Sequence, residues 1–270
     1  MTDYRLTEGE QKNLKVLLGA LRMFRGQRRH NIAYVGMPIT TGKRYYDVMS
    51  AENVRSPEEL NSKLGADAFW ELVMKPNIEE GTVLSDRLAA NSNTLYVAPS
   101  VFNAKIWDWS QAAYMALFYN VIAEFSGRHF VADGWEYSIG ALKEVWLTML
   151  FQWRYIRPYR LTKAIEIFHL QGVFGDVRHD SSAAQGLLNE MYKLRIYDAA
   201  GEEIKIDRAM QLCIDAYIDL RERGFESKGI LNMANNLMRL PILSPCMNSE
   251  LTWETPLYFE TRERIKLLSA

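Results

Sequence analysis

The chain has 270 residues, 48% of them hydrophobic and 24% charged. That composition excludes disorder and low complexity, and the length is enough to bury a core without disulfide staples. Lys plus Arg number 32 against 33 Asp plus Glu, a formal net charge of -1, which argues against bulk electrostatic capture of nucleic acid.

Residues 7–24 (TEGEQKNLKVLLGALRMF) read as an amphipathic helix. Thr7 and Glu10 have capping-box spacing, and Leu14, Leu17, Leu18 and Leu21 make one face. A short basic stretch follows, ending in Arg28, Arg29 and His30, and reads first as a solvated helix end. Asn31–Val35 is a compact apolar strand that leads into the loop GMPITTGK. Residues 56–75 predict a helix with Ser56 as N-cap and Pro57 at the first helical position. Thr94–Ala98 is a second strand closed by Pro99, and 107–125 is an aromatic-rich helix. His129–Ala132 is a third strand, followed by DGWEYSIG and a helix over 139–152. Strands alternating with helices imply an α/β fold with a Rossmann-like parallel sheet.

Beyond Pro158 the pattern turns helical, over 161–171, 181–196, 206–223 and 227–239, and the tail from Pro241 has no clear period. The expected organisation is an N-terminal helix (1–27), an α/β domain (28–156) and a mostly helical appendage (157–270). Cys213 and Cys246 have no CxxC spacing, which excludes a zinc knuckle and points to a reducing cytoplasm. The N-terminus lacks the apolar core of a signal peptide, and no window of about 18 uncharged apolar residues offers a membrane span.

Two loops carry the candidate chemistry. Gly36-Met-Pro-Ile-Thr-Thr-Gly42-Lys43 fails as a P-loop, because five residues separate the glycines and Arg44 stands where a hydroxyl is needed. It remains a glycine-containing loop at the C-terminal end of a strand, where parallel sheets bind ligands. In Asp133-Gly-Trp-Glu-Tyr-Ser-Ile-Gly-Ala-Leu-Lys-Glu144, Ser138 and Gly140 fall at a helix N-terminus, an anion-favouring place. Asp133, Glu136 and Glu144 crowd three carboxylates into that segment, with Glu144 expected to face the crevice beside the first loop. The histidines, His30, His129, His169 and His179, have no metal-ligand spacing. His129, opening a strand, reads as a hydrogen-bonded structural residue.

Together the two loops resemble those of the nucleoside 2-deoxyribosyltransferase superfamily. The closest likeness is to its Gly-Trp-Glu-x-Ser-x-Gly-Ala-x-x-Glu branch and to the nucleoside 5'-monophosphate N-glycosidases. Gly134, Trp135, Glu136, Ser138, Gly140, Ala141 and Glu144 match in register, and the resemblance spans roughly residues 31–156. It implies Glu144 as the nucleophile that attacks C1' of a nucleotide and expels the base, by the retaining logic of glycosyl transfer. It implies Ser138 on the 5'-phosphate, Gly36, Met37, Pro38, Ile39 and Gly42 lining sugar and phosphate, and Trp135 bordering base or sugar. It also implies a homo-oligomer acting on a small nucleotide without metal or organic cofactor. One position departs: the family carries an Asp in the helix before the third strand, and the closest match here is Asn120 (or Tyr119, one residue off). An amide hydrogen-bonds a base but cannot protonate it, so either Asp133 or Glu136 takes the acid role, or base departure is less assisted, or the activity has been lost. NAD or dinucleotide glycohydrolysis by the same glutamate, and nucleotide binding without catalysis, stand as the alternatives.

Overall fold

The computed structural model describes residues 6–27, 32–90, 92–101, 109–152 and 193–242. Helix α1 (Glu8–Gln27) precedes β1 (Ile32–Gly36), followed by α2 (Lys43–Ala51), α3 (Pro57–Leu64) and α4 (Lys75–Ala89), the last entered through a π-helical turn at Trp70–Met74. Then come β2 (Leu95–Val97), α5 (Gln111–Asn120) with a π-helical last turn at Val121–Phe125, and β3 (Arg128–Val131). After a single 3-10 turn at Trp135–Tyr137 run α6 (Ile139–Gln152), β4 (Arg195–Tyr197), α7 (Ile206–Glu222) and α8 (Lys228–Ile242). The strands form one parallel sheet in the order β2-β1-β3-β4. This is the expected α/β, Rossmann-like architecture.

Period-two alternation in β1 and β3 sorts side chains to the two sheet faces. Ile32, Tyr34 and Val131 join a large core cluster with residues of α1, α5, α6, α7 and α8. Ala33, Val35 and Phe130 join a smaller cluster with Leu84 of α4. Both faces of β1 are buried, as its uninterrupted apolar run requires.

Local signals set the helix ends. Ser56 caps α3 by accepting from the Glu59 amide, with Pro57 in the first turn. The single helix expected over 56–75 is broken at Gly65, whose φ of 116° no L side chain adopts without strain. The chain restarts as the π turn and α4, an element that the sequence pattern did not resolve. At the other end of the domain, the Thr7–Glu10 capping box forms: Thr7 N donates to Glu10 Oε2 at 2.8 Å, and Glu10 N to Thr7 Oγ1 at 3.2 Å. Glu10 Oε1 also accepts from the Ser110 amide at 2.8 Å, tying α1 to the cap of α5. Burial opposes ionisation of Glu10, but the hydrogen bonds from Ser110 and Thr7 outweigh it and hold its carboxyl at about 2.

The expected boundary near residue 157 needs correcting. Residues 195–196, read as the end of a helix, lie in β4, which pairs with β3. Leu194, Ile196 and the buried faces of α7 and α8 belong to the same core cluster as Tyr34 and Val131. The described part of the C-terminal region therefore completes the sheet and its core rather than standing apart from them. The helix expected over 161–171 and most of that over 181–196 lie outside the described residues, as do Trp107, His30, His169 and His179.

One glycine marks a packing constraint on the α4 side of the sheet. A Cβ built on Gly81, in mid-helix, would run into Met37 Cε, so the Met37 side chain occupies the space a larger residue would need. Gly→Ala in a helix interior ordinarily gains about 1 kcal/mol. Here Gly81→Ala is expected to cost roughly 1–3 kcal/mol through overpacking. Adding Met37→Ala should cancel most of the clash penalty in a urea double-mutant cycle; additive losses would disprove the contact.

Candidate active site

The strand order places a topological switch point between β1 and β3: from β1 the chain leaves for β2 on one side and returns to β3 on the other. Open parallel sheets bind ligands at the carboxyl ends of such strands. Both candidate loops emerge there. Gly42, with φ 95°, closes the first loop ahead of α2, and Gly134, with φ 76°, turns the second. The loops touch: a Cβ on Gly134 would lie 3.0 Å from Lys43 Cβ, and Thr41 Oγ1 donates to Ser138 Oγ at 3.0 Å. Buried Asn77 of α4 clamps the first loop, its Nδ2 donating to the carbonyls of Ile39 at 3.0 Å and Thr41 at 3.2 Å. Arg44 Nε in turn donates to Asn77 Oδ1 at 3.1 Å.

A cleft of about 490 Å3 opens beside these loops, lined by Pro38, Lys43, Arg44, Asn77, Asp133 and Gly134 among others. Its basic walls are partly neutralised, since Lys43 pairs with Asp47 and Arg44 with Glu80. A second hollow, about 370 Å3, lies beyond Asp133 and reaches Arg87 and Ala199.

Glu144 does not face this cleft. It sits one turn into α6 with its side chain buried, and Oε1 accepts from the Tyr34 hydroxyl at 2.8 Å. The expectation that it opens onto the crevice is therefore corrected: its carboxylate points at the strands beneath the loops. Gly36 is the reason it fits. A Cβ there would stand 2.9 Å from Glu144 Oε2 and 2.8 Å from His129 Nε2, so only a residue without a side chain lets both groups approach β1. His129 Nδ1 lies 2.9 Å from Thr148 Oγ1, and that hydroxyl donates to the Glu144 carbonyl at 3.0 Å. Glu144 and Thr148 are one helical turn apart and so share the α6 face that meets Tyr34 and His129, which are register partners on β1 and β3.

Burial sets the protonation of this group. It pushes the Glu144 carboxyl up to about 8, against the opposing pull of the Tyr34 hydrogen bond. It pushes His129 down to about 3. Burial and the neighbouring Glu144 raise the Tyr34 phenol well above its ordinary value. At neutral pH the interior thus holds an uncharged acid, an uncharged imidazole and an intact phenol.

The remaining expected site residues divide cleanly. Ser138 is buried at the start of α6 with Thr41 on its hydroxyl. Pro38 lines the cleft, whereas Met37 packs into the α4-side core. Ile39 is half-buried and contributes its carbonyl to the Asn77 clamp. Gly140 lies in the first turn of α6 with nothing closer to a built Cβ than Ser138 Oγ at 3.8 Å. Asp133 is exposed at the rim shared by both hollows. Glu136 is half-buried, and burial first, then Asp133, raises its pKa against the opposing Arg208 and Lys43. Trp135 is 3% exposed and belongs to the core cluster, so it does not border the cleft. Asn120 is buried at the end of α5, its Nδ2 donating to the Ala116 carbonyl at 2.6 Å.

Tyr34, Thr148 and Asn77 are the site residues that pattern reading passed over. The only trace of them in the sequence is a hydroxyl inside an otherwise apolar strand and a Thr four residues after Glu144.

No family model, curated protein or solved structure matches this chain. Among the described residues there is no group of three or more His, Cys, Asp or Glu side chains that could hold a metal ion. No described helix is long and apolar enough to cross a membrane.

The raised Glu144 carboxyl has a thermodynamic signature. An unfolded chain releases this proton near 4.5, and the folded chain holds it to about 8. Between these values the unfolded state binds fewer protons, so stability falls as pH rises and the loss is complete above about 8. Glu144→Gln cannot ionise. In urea unfolding it should match the wild type near pH 5 and exceed it by on the order of 1–4 kcal/mol at pH 8.5. Parallel stability curves would show that Glu144 ionises as freely folded as unfolded.

Proposed function

We propose that this protein cleaves the N-glycosidic bond of a nucleoside 5'-monophosphate, as a hydrolase or by exchanging the base. The observation that supports it best is the placement of Glu144: a carboxyl fixed by Tyr34 at the switch point, under two loops joined by Thr41 and Ser138. The ionised carboxylate attacks C1', and the base departs with the electron pair of the broken bond. Glu136, whose pKa burial raises, or Asp133 at the cleft rim supplies a proton to the base. Water or a second base then resolves the glycosyl ester.

Ser138, Thr41 and the first turn of α6 offer the phosphate a hydroxyl pair and a positive helix end. Because Glu144 is buried in this form, the substrate must uncover the carboxylate before attack. On this reading the enzyme acts as a cytoplasmic homo-oligomer, and the attack itself calls for no metal or organic cofactor.

A second reading, nucleotide binding without turnover, is favoured by the same burial. It draws on a Glu144 that is mostly neutral at pH 7 and on Asn120 where an acid would assist the departing base.

The test incubates wild type and Glu144→Gln with ribo- and deoxyribonucleoside monophosphates, free nucleosides and NAD, and quantifies free base. The expected result is base release from a monophosphate that climbs as pH rises through about 8 and falls by roughly three orders of magnitude or more in Glu144→Gln. Base release from NAD alone would redirect the reading to dinucleotide glycohydrolysis. Binding of a monophosphate with no base released from any substrate establishes the second reading. Equal rates in the two proteins would remove Glu144 from the chemistry.

A further inference from the structure

Arg44 stands where a phosphate loop would carry a hydroxyl, and the reaction proposed above gives it no task. Its guanidinium serves two neighbours at once. Nε donates to Asn77 Oδ1 at 3.1 Å, and Nη2 donates to Glu80. All three residues line the cleft, and Asn77 and Glu80 come from the same helix, α4.

The contact with Asn77 decides what that amide can do. An amide accepts at its oxygen and donates at its nitrogen. With Oδ1 taken by Arg44, Nδ2 is turned to the carbonyls of Ile39 and Thr41, at 3.0 Å and 3.2 Å. Rotating the amide by half a turn would set donor against donor at Arg44 and acceptor against acceptor at the loop. Arg44 therefore fixes the sense of the Asn77 amide. Through it, Arg44 holds the backbone from which Thr41 reaches Ser138.

The two arms of the guanidinium differ in strength. Asn77 is buried, and a buried polar group left unpaired loses the full cost of its desolvation. The Glu80 side chain is 61% exposed, and surface ion pairs contribute little. An anion entering the cleft thus displaces Glu80 from Arg44 well before it displaces Asn77.

We propose that Arg44 is both the positioning residue for the 36–42 loop and a contact for an anionic ligand, its Nε holding Asn77 while its Nη2 passes from Glu80 to a phosphate in the cleft. The choice of a phosphate rests on the reading above; the hold on the loop does not. A planar guanidinium presents several donors in fixed directions and can serve both neighbours, whereas an ammonium is a single point of charge. Occupying the cleft in this way leaves the loop clamped.

The experiment follows amide hydrogen exchange of the 36–42 segment and binding of inorganic phosphate, both in the full chain. Arg44→Lys keeps the charge but has no Nε–H. It should speed exchange in 36–42 about five-fold, the worth of one hydrogen bond, and add nothing in an Asn77→Ala background. Glu80→Gln leaves the Asn77 arm intact, so exchange should keep its wild-type rate while phosphate binds about two- to five-fold tighter. That gain should vanish when Arg44→Gln is added. A surface ion pair without the positioning role predicts loop exchange unmoved by Arg44→Lys, and that result overturns the proposal. So does a phosphate affinity that Glu80→Gln leaves unchanged, or a gain that survives Arg44→Gln. Arg44 is half-buried and Glu80 exposed, so the deciding variants do not depend on replacing buried Asn77. Neither readout requires turnover: absence of base release sinks the glycosidase reading and leaves this one standing, and unmoved loop exchange does the reverse.

Discussion

The contact between Tyr34 and Glu144 is the constraint around which the molecule is arranged. It fastens the central strand to the helix that follows the third strand, and it does so with a carboxyl taken out of water. Isolated, such a group would be among the costliest things a core could hold. It is tolerated because it is neutral at ordinary pH, accepts from a phenol, and meets a strand position with no side chain. The switch-point loops, the α6 start and the His129–Thr148 pair all take their places relative to that buried acid.

A carboxyl stored in this way is shielded as well as positioned. Its side chain is buried, and beside it Asn77 of α4 clamps the first loop through the Ile39 and Thr41 carbonyls. The cleft beside it is mixed in charge, with Lys43 and Arg44 each already paired to an acidic partner. On the reading proposed above, an incoming phosphate competes with Asp47 and Glu80 for those cations. That competition favours small, strongly charged ligands that can also use helix amides over extended polyanions, in keeping with the chain's near-neutral balance.

Much of the fold was legible because its first three strands are short, mostly apolar runs bounded by turn residues, as in IAYV and HFV. β4 was not, since Arg195-Ile-Tyr197 is brief, half polar, and set in a stretch whose spacing mimics a helix. α4 was partly hidden by the helical pattern running across Gly65. At the site, residue types were readable but exposure was not. Trp135 and Glu144 lie in one matched segment, and both point inward because of how the 3-10 turn delivers α6 onto the sheet. No local pattern encodes that angle. His129 was read as a structural histidine from its place in a strand. Its contact with Thr148 emerges only when β3 and α6 are brought together.

The parallel pairing of β3 with β4 has a consequence for how the sheet can be assembled. β3 gains its second neighbour only after the chain has been extended by more than sixty residues. Closing so long a connection is entropically slow, and non-local parallel pairing is the step that lags. Until it happens, the backbone of Arg128–Val131 is a bare edge next to the buried acid, and α6 lacks the cover of α7 and α8. Such an edge is a template for strands from other chains. A nascent or shortened chain that stops after α6 is therefore a species poised to pair with its own kind, and β4 is what takes that place beside β3 in the finished sheet.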